Sequence, residues 1–335
     1  MKKKILLIGG AGYIGTVVTR YYLKKKYRVI CLDNFLYKNT SSIDEFKNDK
    51  KFEFVFGDLR DEKLINDLLD KCDVSIILGG LVGDPITKKY PELSEKINFF
   101  GIKKIIDLSK KKKISNTIFV STCSNYGLSQ TDDLLTEESP LNPLSLYAKQ
   151  KVGIEKYILS LRDEKFFNPT ILRFSTAFGL SPRMRFDLTI NQFTRSIFYK
   201  EKLEVFDSNT WRPYCHVNDF ALAIDKVIET NKKYVNFEVF NVGSEHNNFT
   251  KKQITEQILN IIPNNNKEVS FTNKKFDPRN YKVDFSKIKN KLDFKVKYTI
   301  REGIEEIIEF LKKNKINNNK EIIDSFNFGN YQINL

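Results

Sequence analysis

Short apolar runs recur along the chain at 4–8, 28–33, 52–56, 74–79, 116–121 and 170–174, and between them Leu, Ile and Tyr return at helical spacing. Apolar runs of this length read as buried strands, and the amphipathic stretches between them as helices. Strands alternating with helices predict an α/β fold: a doubly wound parallel sheet covered on both faces. Beyond about residue 176 the pattern loosens into Pro182, Pro213, Asn-rich loops and short helices, with one more strand expected at 237–242. That half reads as a smaller mixed α/β lobe interwoven with the first, followed by a Lys/Asn linker at 312–320 and a mildly apolar tail that either docks or frays.

The first apolar run enters Gly9-Gly10-Ala11-Gly12-Tyr13-Ile14-Gly15 and then an apolar helical stretch. A strand-to-helix turn leaves backbone N–H groups at the helix start, and residues without a Cβ let an anionic diphosphate approach them. Gly9, Gly12, Tyr13, Ile14 and Gly15 are therefore candidate dinucleotide contacts. Asp33, closing the second run, stands where a carboxylate accepts hydrogen bonds from both ribose hydroxyls, favouring NAD over NADP; Asn34 follows it. At the end of the third run, Asp58 is either a partner for the adenine amino group or the N-cap of the helix through Leu64 to Leu69, with Leu59 beside it. The fourth run ends at Leu78-Gly79-Gly80, a close backbone approach on the same sheet edge.

Tyr147 and Lys151 lie four apart in a segment that reads as helix through Leu161, so both side chains leave one face. A phenol is a poor base at its ordinary pKa, and a neighbouring ammonium favours the phenolate. Thr122 and Ser121 end the fifth strand, where the Thr122 hydroxyl can meet a substrate oxygen losing its proton.

Composition narrows the class. At 335 residues and 41% hydrophobic content the chain builds a substantial core. Only Ile5 to Ile8 separate the leading lysines from the glycines, too short for a signal peptide, and no run reaches the ~20 apolar residues of a spanning helix. A cytoplasmic protein without a membrane partner is expected. The net charge of +14 comes from dispersed lysines, such as 24–26 and 110–113, which read as solvent faces of helices without interleaved aromatics. This favours compositional bias over a nucleic-acid surface, with attraction of an anionic substrate as a second reading. Four cysteines without a C-x-x-C pair read as reduced and structural; two histidines, His216 and His246, offer no metal site, and His216 reads as a core residue.

These residues, together with Gly57-Asp58-Leu59, Tyr126-Gly127 and Arg212-Pro213-Tyr214-Cys215-His216-Val217-Asn218-Asp219, resemble the extended short-chain dehydrogenase/reductases of the sugar-nucleotide epimerase and dehydratase branch over nearly the whole chain. The resemblance implies a Rossmann domain at 1–176, returning at about 214–243, with a substrate lobe at 177–213 and 244–315 and a tail at 316–335. It also implies a tightly held NAD⁺ that accepts hydride, usually from C4, with Tyr147 as base, and a homodimer paired through 94–111 and 146–161. Arg212 and Arg279 align with grips on the substrate diphosphate, and Arg183 and Arg185 could reach sugar or nucleotide. The branch's dehydratases follow the active Thr with Asp and Glu, where this chain has Cys123 and Ser124 at the substrate's edge. That disfavours elimination and leaves 4-epimerisation or 4-oxidation of a GDP- or UDP-linked sugar, with dehydratase, decarboxylase, NADPH-dependent reductase or non-catalytic NAD-binding regulator as alternatives. The blocks 179–188 with Asn191, and 277–281, look most like a surface-polysaccharide subgroup that includes a GDP-heptose 4-dehydrogenase.

Overall fold

The computed structural model describes residues 2–114, 116–129, 133–164, 166–263, 268–273, 279–314 and 333. Seven strands, β1 (Lys4–Ile8), β2 (Arg28–Asp33), β3 (Phe52–Phe56), β4 (Val74–Ile77), β5 (Asn116–Thr122), β6 (Pro169–Phe174) and β7 (Glu238–Val242), form one sheet in the order β7-β6-β5-β4-β1-β2-β3. Every pairing is parallel. Among the described residues the eight longest helices are α1 (Tyr13–Lys24), α2 (Glu62–Leu69), α3 (Ile102–Lys111), α4 (Leu146–Ser160), α5 (Thr189–Phe198), α6 (Val217–Glu229), α7 (Lys251–Ile261) and α8 (Ile300–Asn314).

The two-residue period of a strand sets the layers. In β1, Ile5 and Leu7 pack with Val18 and Tyr22 of α1 and Phe220 and Ile224 of α6, whereas Leu6 and Ile8 pack with Ile65 and Leu68 of α2, Ile105 of α3 and Ile154 of α4. Both faces are thus buried, which is why these strands read as continuous apolar runs. The fourth strand ends at Ile77, two residues short of expectation, because Leu78 and Gly79 both turn their N–H groups onto the Ile8 carbonyl.

A separate core, with Phe186, Ile190, Phe193, Val205, Ile254 and Ile307, holds the second lobe. There Trp211–His216 pairs with Thr176–Phe178 and Asn248–Thr250, and Leu203–Phe206 pairs with Val269–Thr272. Because β1 is flanked by β2 on one side and β4 on the other, chain connections diverge at its carboxyl end, and a crevice opens there. The segment 94–111 contains a π turn, Glu95–Gly101, whose Asn98 accepts from Leu81 N at 2.8 Å and donates to Leu81 O at 2.9 Å, pinning the glycine-rich loop after β4.

Candidate active site

At that crevice lies a cavity of about 750 Å3 running between the sheet and the second lobe. Gly9, Gly12, Tyr13, Ile14 and Gly15 line it. Gly9 has φ +82°, and a Cβ there would stand 2.4 Å from Gly79 Cα; a Cβ on Gly15 would stand 2.6 Å from Gly10 O. These two glycines let the turn, the end of β4 and α1 pack together. Gly12 is the N-cap of α1 with no side-chain hydrogen bond, so the first helical N–H groups face the cavity unblocked by a cap.

Asp33 Oδ2 accepts from Ala11 N at 3.1 Å and Oδ1 from Phe35 N at 2.9 Å, fixing the carboxylate beside the turn. Burial pushes its carboxyl up, and those hydrogen bonds oppose the push. Asn34 donates to Asp58 Oδ2 at 3.3 Å; Asp58 also receives Arg60, which holds its carboxyl below the usual range. The N-cap of α2 is Asp61, accepting from Leu64 N at 3.0 Å, so the capping alternative for Asp58 is incorrect: the chain runs three residues beyond it before the helix turns. Leu59, Leu78, Gly79 and Gly80 line the same end. Asp33, the glycine cradle and the open end of α1 together fit an adenosine-bearing diphosphate.

Tyr147 and Lys151 project from the first turns of α4, whose N-cap Ser145 accepts from Ala148 N at 3.2 Å. Both line the cavity with Thr122 and Ser124. Lys151 Nζ donates to Val120 O at 2.7 Å and stands 5.8 Å from the Tyr147 ring centroid. Burial pushes the Lys151 ammonium down to about 7, with Glu155 opposing. Burial likewise pushes the Tyr147 phenol up, against the field of Arg185 and with that of Asp84. Desolvation of the phenol, not a lowering by Lys151, sets the direction in the protein alone: the ammonium gives one of its three donors to a carbonyl and stands over the ring. Thr122 Oγ1 accepts from Ser124 N at 3.1 Å, which orients the hydroxyl. Ser121 borders the cavity, but its hydroxyl is turned to the buried Glu155.

Two expected substrate contacts are not brought to the cavity. Cys123 packs into the sheet core with its thiol on Arg173 O at 3.3 Å. Asn191 is fully buried, accepting from Gly179 N at 3.0 Å and donating to Arg185 O at 2.9 Å. It braces the loop that carries the arginines rather than touching what they hold. Arg183 is buried with its guanidinium 5.1 Å from the Tyr37 ring centroid, and burial pushes it down to about 10. Since Tyr37 lies four residues past Asp33, Arg183 borders the Asp33 end of the cavity rather than the Tyr147 end. Arg185 is held by Asp187 at 2.9 and 2.5 Å. Arg212 reaches the Arg279 carbonyl and lies 5.3 Å from the Tyr281 centroid. Arg279 bridges Asp84 at 3.2 Å and Ser124 Oγ at 3.4 Å; Asp277 and Pro278 fall outside the described residues.

His216 is fully buried, bonded to Glu306 at 2.7 Å, and caps α6; His246 is exposed. Among the described residues no three potential ligands cluster as a metal site, and no helix is long and apolar enough to cross a membrane.

Sequence reasoning missed Tyr37, Asp84, Asp187, Glu204, Phe206 and Lys251, all of which line the cavity. Asp84 had a signal in the glycine run Gly79-Gly80-Leu81-Val82-Gly83 leading into it, and Glu204 and Phe206 in the alternation of Leu203-Glu204-Val205-Phe206. Lys251 carried none.

Residues 5–243 match the model of the NAD dependent epimerase/dehydratase family. The low-salt glycan biosynthesis protein Agl12 of Haloferax volcanii is 27% identical over 91% of this chain and 97% of its own length. The Bacillus anthracis dTDP-glucose 4,6-dehydratase, solved with NAD, superposes with TM-score 0.81 at 26% identity, covering 93% of this chain and 97% of that one. The Thermotoga maritima UDP-glucose 4-epimerase, solved with UDP-glucose, superposes with TM-score 0.81 at 24% identity, covering 92% and 99%.

Proposed function

We propose, given that this chain belongs to the NAD-dependent epimerase/dehydratase family, that it oxidises C4 of a nucleotide diphosphate sugar, as a 4-epimerase or 4-dehydrogenase of surface-polysaccharide synthesis. One observation carries the reading: Tyr147, Lys151 and Thr122 open into the same cavity as the Gly9–Gly15 turn and Asp33. When bound, oxidised NAD supplies the hydride acceptor and a positive charge that favours phenolate. Tyr147 takes the proton of the C4 hydroxyl, and the Thr122 hydroxyl orients that oxygen. Lys151, anchored by Val120 O, stands beside the phenol and is available to the nicotinamide ribose. Gly12 and the α1 N-terminus hold the cofactor diphosphate, and Asp33 its adenosine ribose, where its charge opposes a 2′-phosphate. Arg212 and Arg279 suit the substrate diphosphate through planar paired donors.

A 4,6-dehydration needs an acid and a base beside the active Thr. Cys123 faces the core with its thiol pushed up to about 12 by burial, and Ser124 carries only a hydroxyl, so epimerisation or oxidation is favoured. Mass spectrometry of the product decides: unchanged mass means epimerisation and loss of two hydrogens means oxidation, while loss of one water contradicts the proposal. The proposal includes a homodimer formed by α4 and the helical segment ending in α3, where Phe100 is 57% exposed.

A further inference from the structure

The substrate's reacting carbon must sit at Tyr147, and its diphosphate near Arg212 and Arg279. The Asp33 end of the cavity is committed to the cofactor's adenosine. What remains for the substrate's nucleobase is the wall on the other side of the arginines. That wall can be traced residue by residue. Arg212 pairs with Phe249 across the antiparallel strands, two residues on is Lys251, and Lys251 Nζ donates to Phe206 O at 2.9 Å. Leu203, Glu204 and Phe206 line the cavity there, facing Leu188 and Gln192 at the start of α5. In the strand Leu203–Phe206, Leu203 and Val205 are buried, while Glu204 and Phe206 are half-buried on the cavity side.

A carboxylate in a nucleobase pocket is selective because it only accepts hydrogen bonds, and with about four lone-pair sites it keeps acceptor capacity even when one neighbour donates to it. Of the bases carried by sugar nucleotides, guanine alone presents two adjacent donors, N1–H and the 2-amino group, which match the two oxygens of one carboxylate. Uracil and thymine flank their single N3–H with carbonyl oxygens that a carboxylate repels, and cytosine sets its one amino donor beside an acceptor nitrogen. Phe206, on the same side of the strand as Glu204, adds apolar surface for a purine face.

We infer that Glu204 reads the base of the substrate, and that this base is guanine, so the enzyme takes a GDP-linked sugar. This rests on the sugar-nucleotide reading above and narrows it to one nucleotide. The test titrates GDP, UDP, dTDP and CDP calorimetrically into the purified, NAD-loaded protein and into Glu204→Gln. GDP is expected to bind about tenfold or more tighter than the pyrimidine nucleotides. Glu204→Gln, which trades a carboxylate oxygen for an N–H donor that a uracil carbonyl accepts, should weaken GDP, tighten UDP, bring the two to within about threefold and melt at the parent temperature. Tighter binding of a pyrimidine nucleotide overturns the inference, as does a GDP preference that survives Glu204→Gln. If no nucleoside diphosphate binds while NAD remains bound, it is the sugar-nucleotide reading itself that fails, and the inference falls with it.

Discussion

Lys151 is nearly excluded from water, bonded to Val120 O and placed 4.6 Å from the Phe119 centroid, and burial pushes its ammonium down to about 7. In the unfolded chain a lysine titrates near ~10.4. Between those values the unfolded state holds a proton the folded state lacks, so this residue's contribution to stability rises with pH through the window and is constant below it. The stability of the parent relative to Lys151→Met should therefore increase from about pH 7 to pH 10, by on the order of 1 kcal/mol per unit. Urea unfolding at several pH values measures it; a flat difference contradicts the burial argument. At this scale the sequence told residue types and left directions open. Cys123 and Ser124 are adjacent, yet one enters the core and the other the cavity, because the backbone leaves β5 through a single 3-10 turn capped by Thr122.

Elements were legible where a period repeats. All seven strands of the main sheet lie within two residues of where the apolar runs place them, because burial on both faces demands continuous apolar residues. The strand Leu203–Phe206 offered only a four-residue alternation, and the short pairings of the second lobe were not legible. They are three to six residues long and fixed by partners distant in sequence, such as Trp211 with Thr250. The glycine turn was read correctly as a turn, but the structure divides its glycines by task. Gly9→Ala must hold a side chain at φ +82° against Gly79, so it should lose about 1–2 kcal/mol from the backbone alone and melt at lower temperature. At Gly12 the nearest protein atom to a new Cβ is 3.4 Å away. Gly12→Ala should keep the parent melting temperature and weaken NAD by about tenfold or more, read by fluorescence titration. Equal melting losses in the two variants would contradict this division.

Across the whole molecule the cofactor helix and the substrate loop are tied directly. Tyr13 donates its hydroxyl to Gly179 O at 2.6 Å, and Ser181 donates to Tyr13 O at 2.7 Å, so the loop carrying Arg183 and Arg185 is positioned by the same helix whose N-terminus opens into the cavity. Phe100 and Phe99, in contact at 5.4 Å between centroids, with Tyr157 beside Lys103, give the outer helical face an apolar patch suited to a second copy. Phe100→Asp should shift the sedimentation coefficient from dimer to monomer; a parent that already sediments as a monomer contradicts the dimer.

The proposed reaction is tested by mixing the NAD-loaded protein with the GDP-linked sugar proposed as its substrate and following turnover in the parent and in Tyr147→Phe. Removing one hydroxyl while retaining the ring should cut kcat by about 10²-fold or more and leave the cofactor bound. Turnover close to the parent's in Tyr147→Phe, with NAD still in place, would contradict the assignment of that phenol as the base.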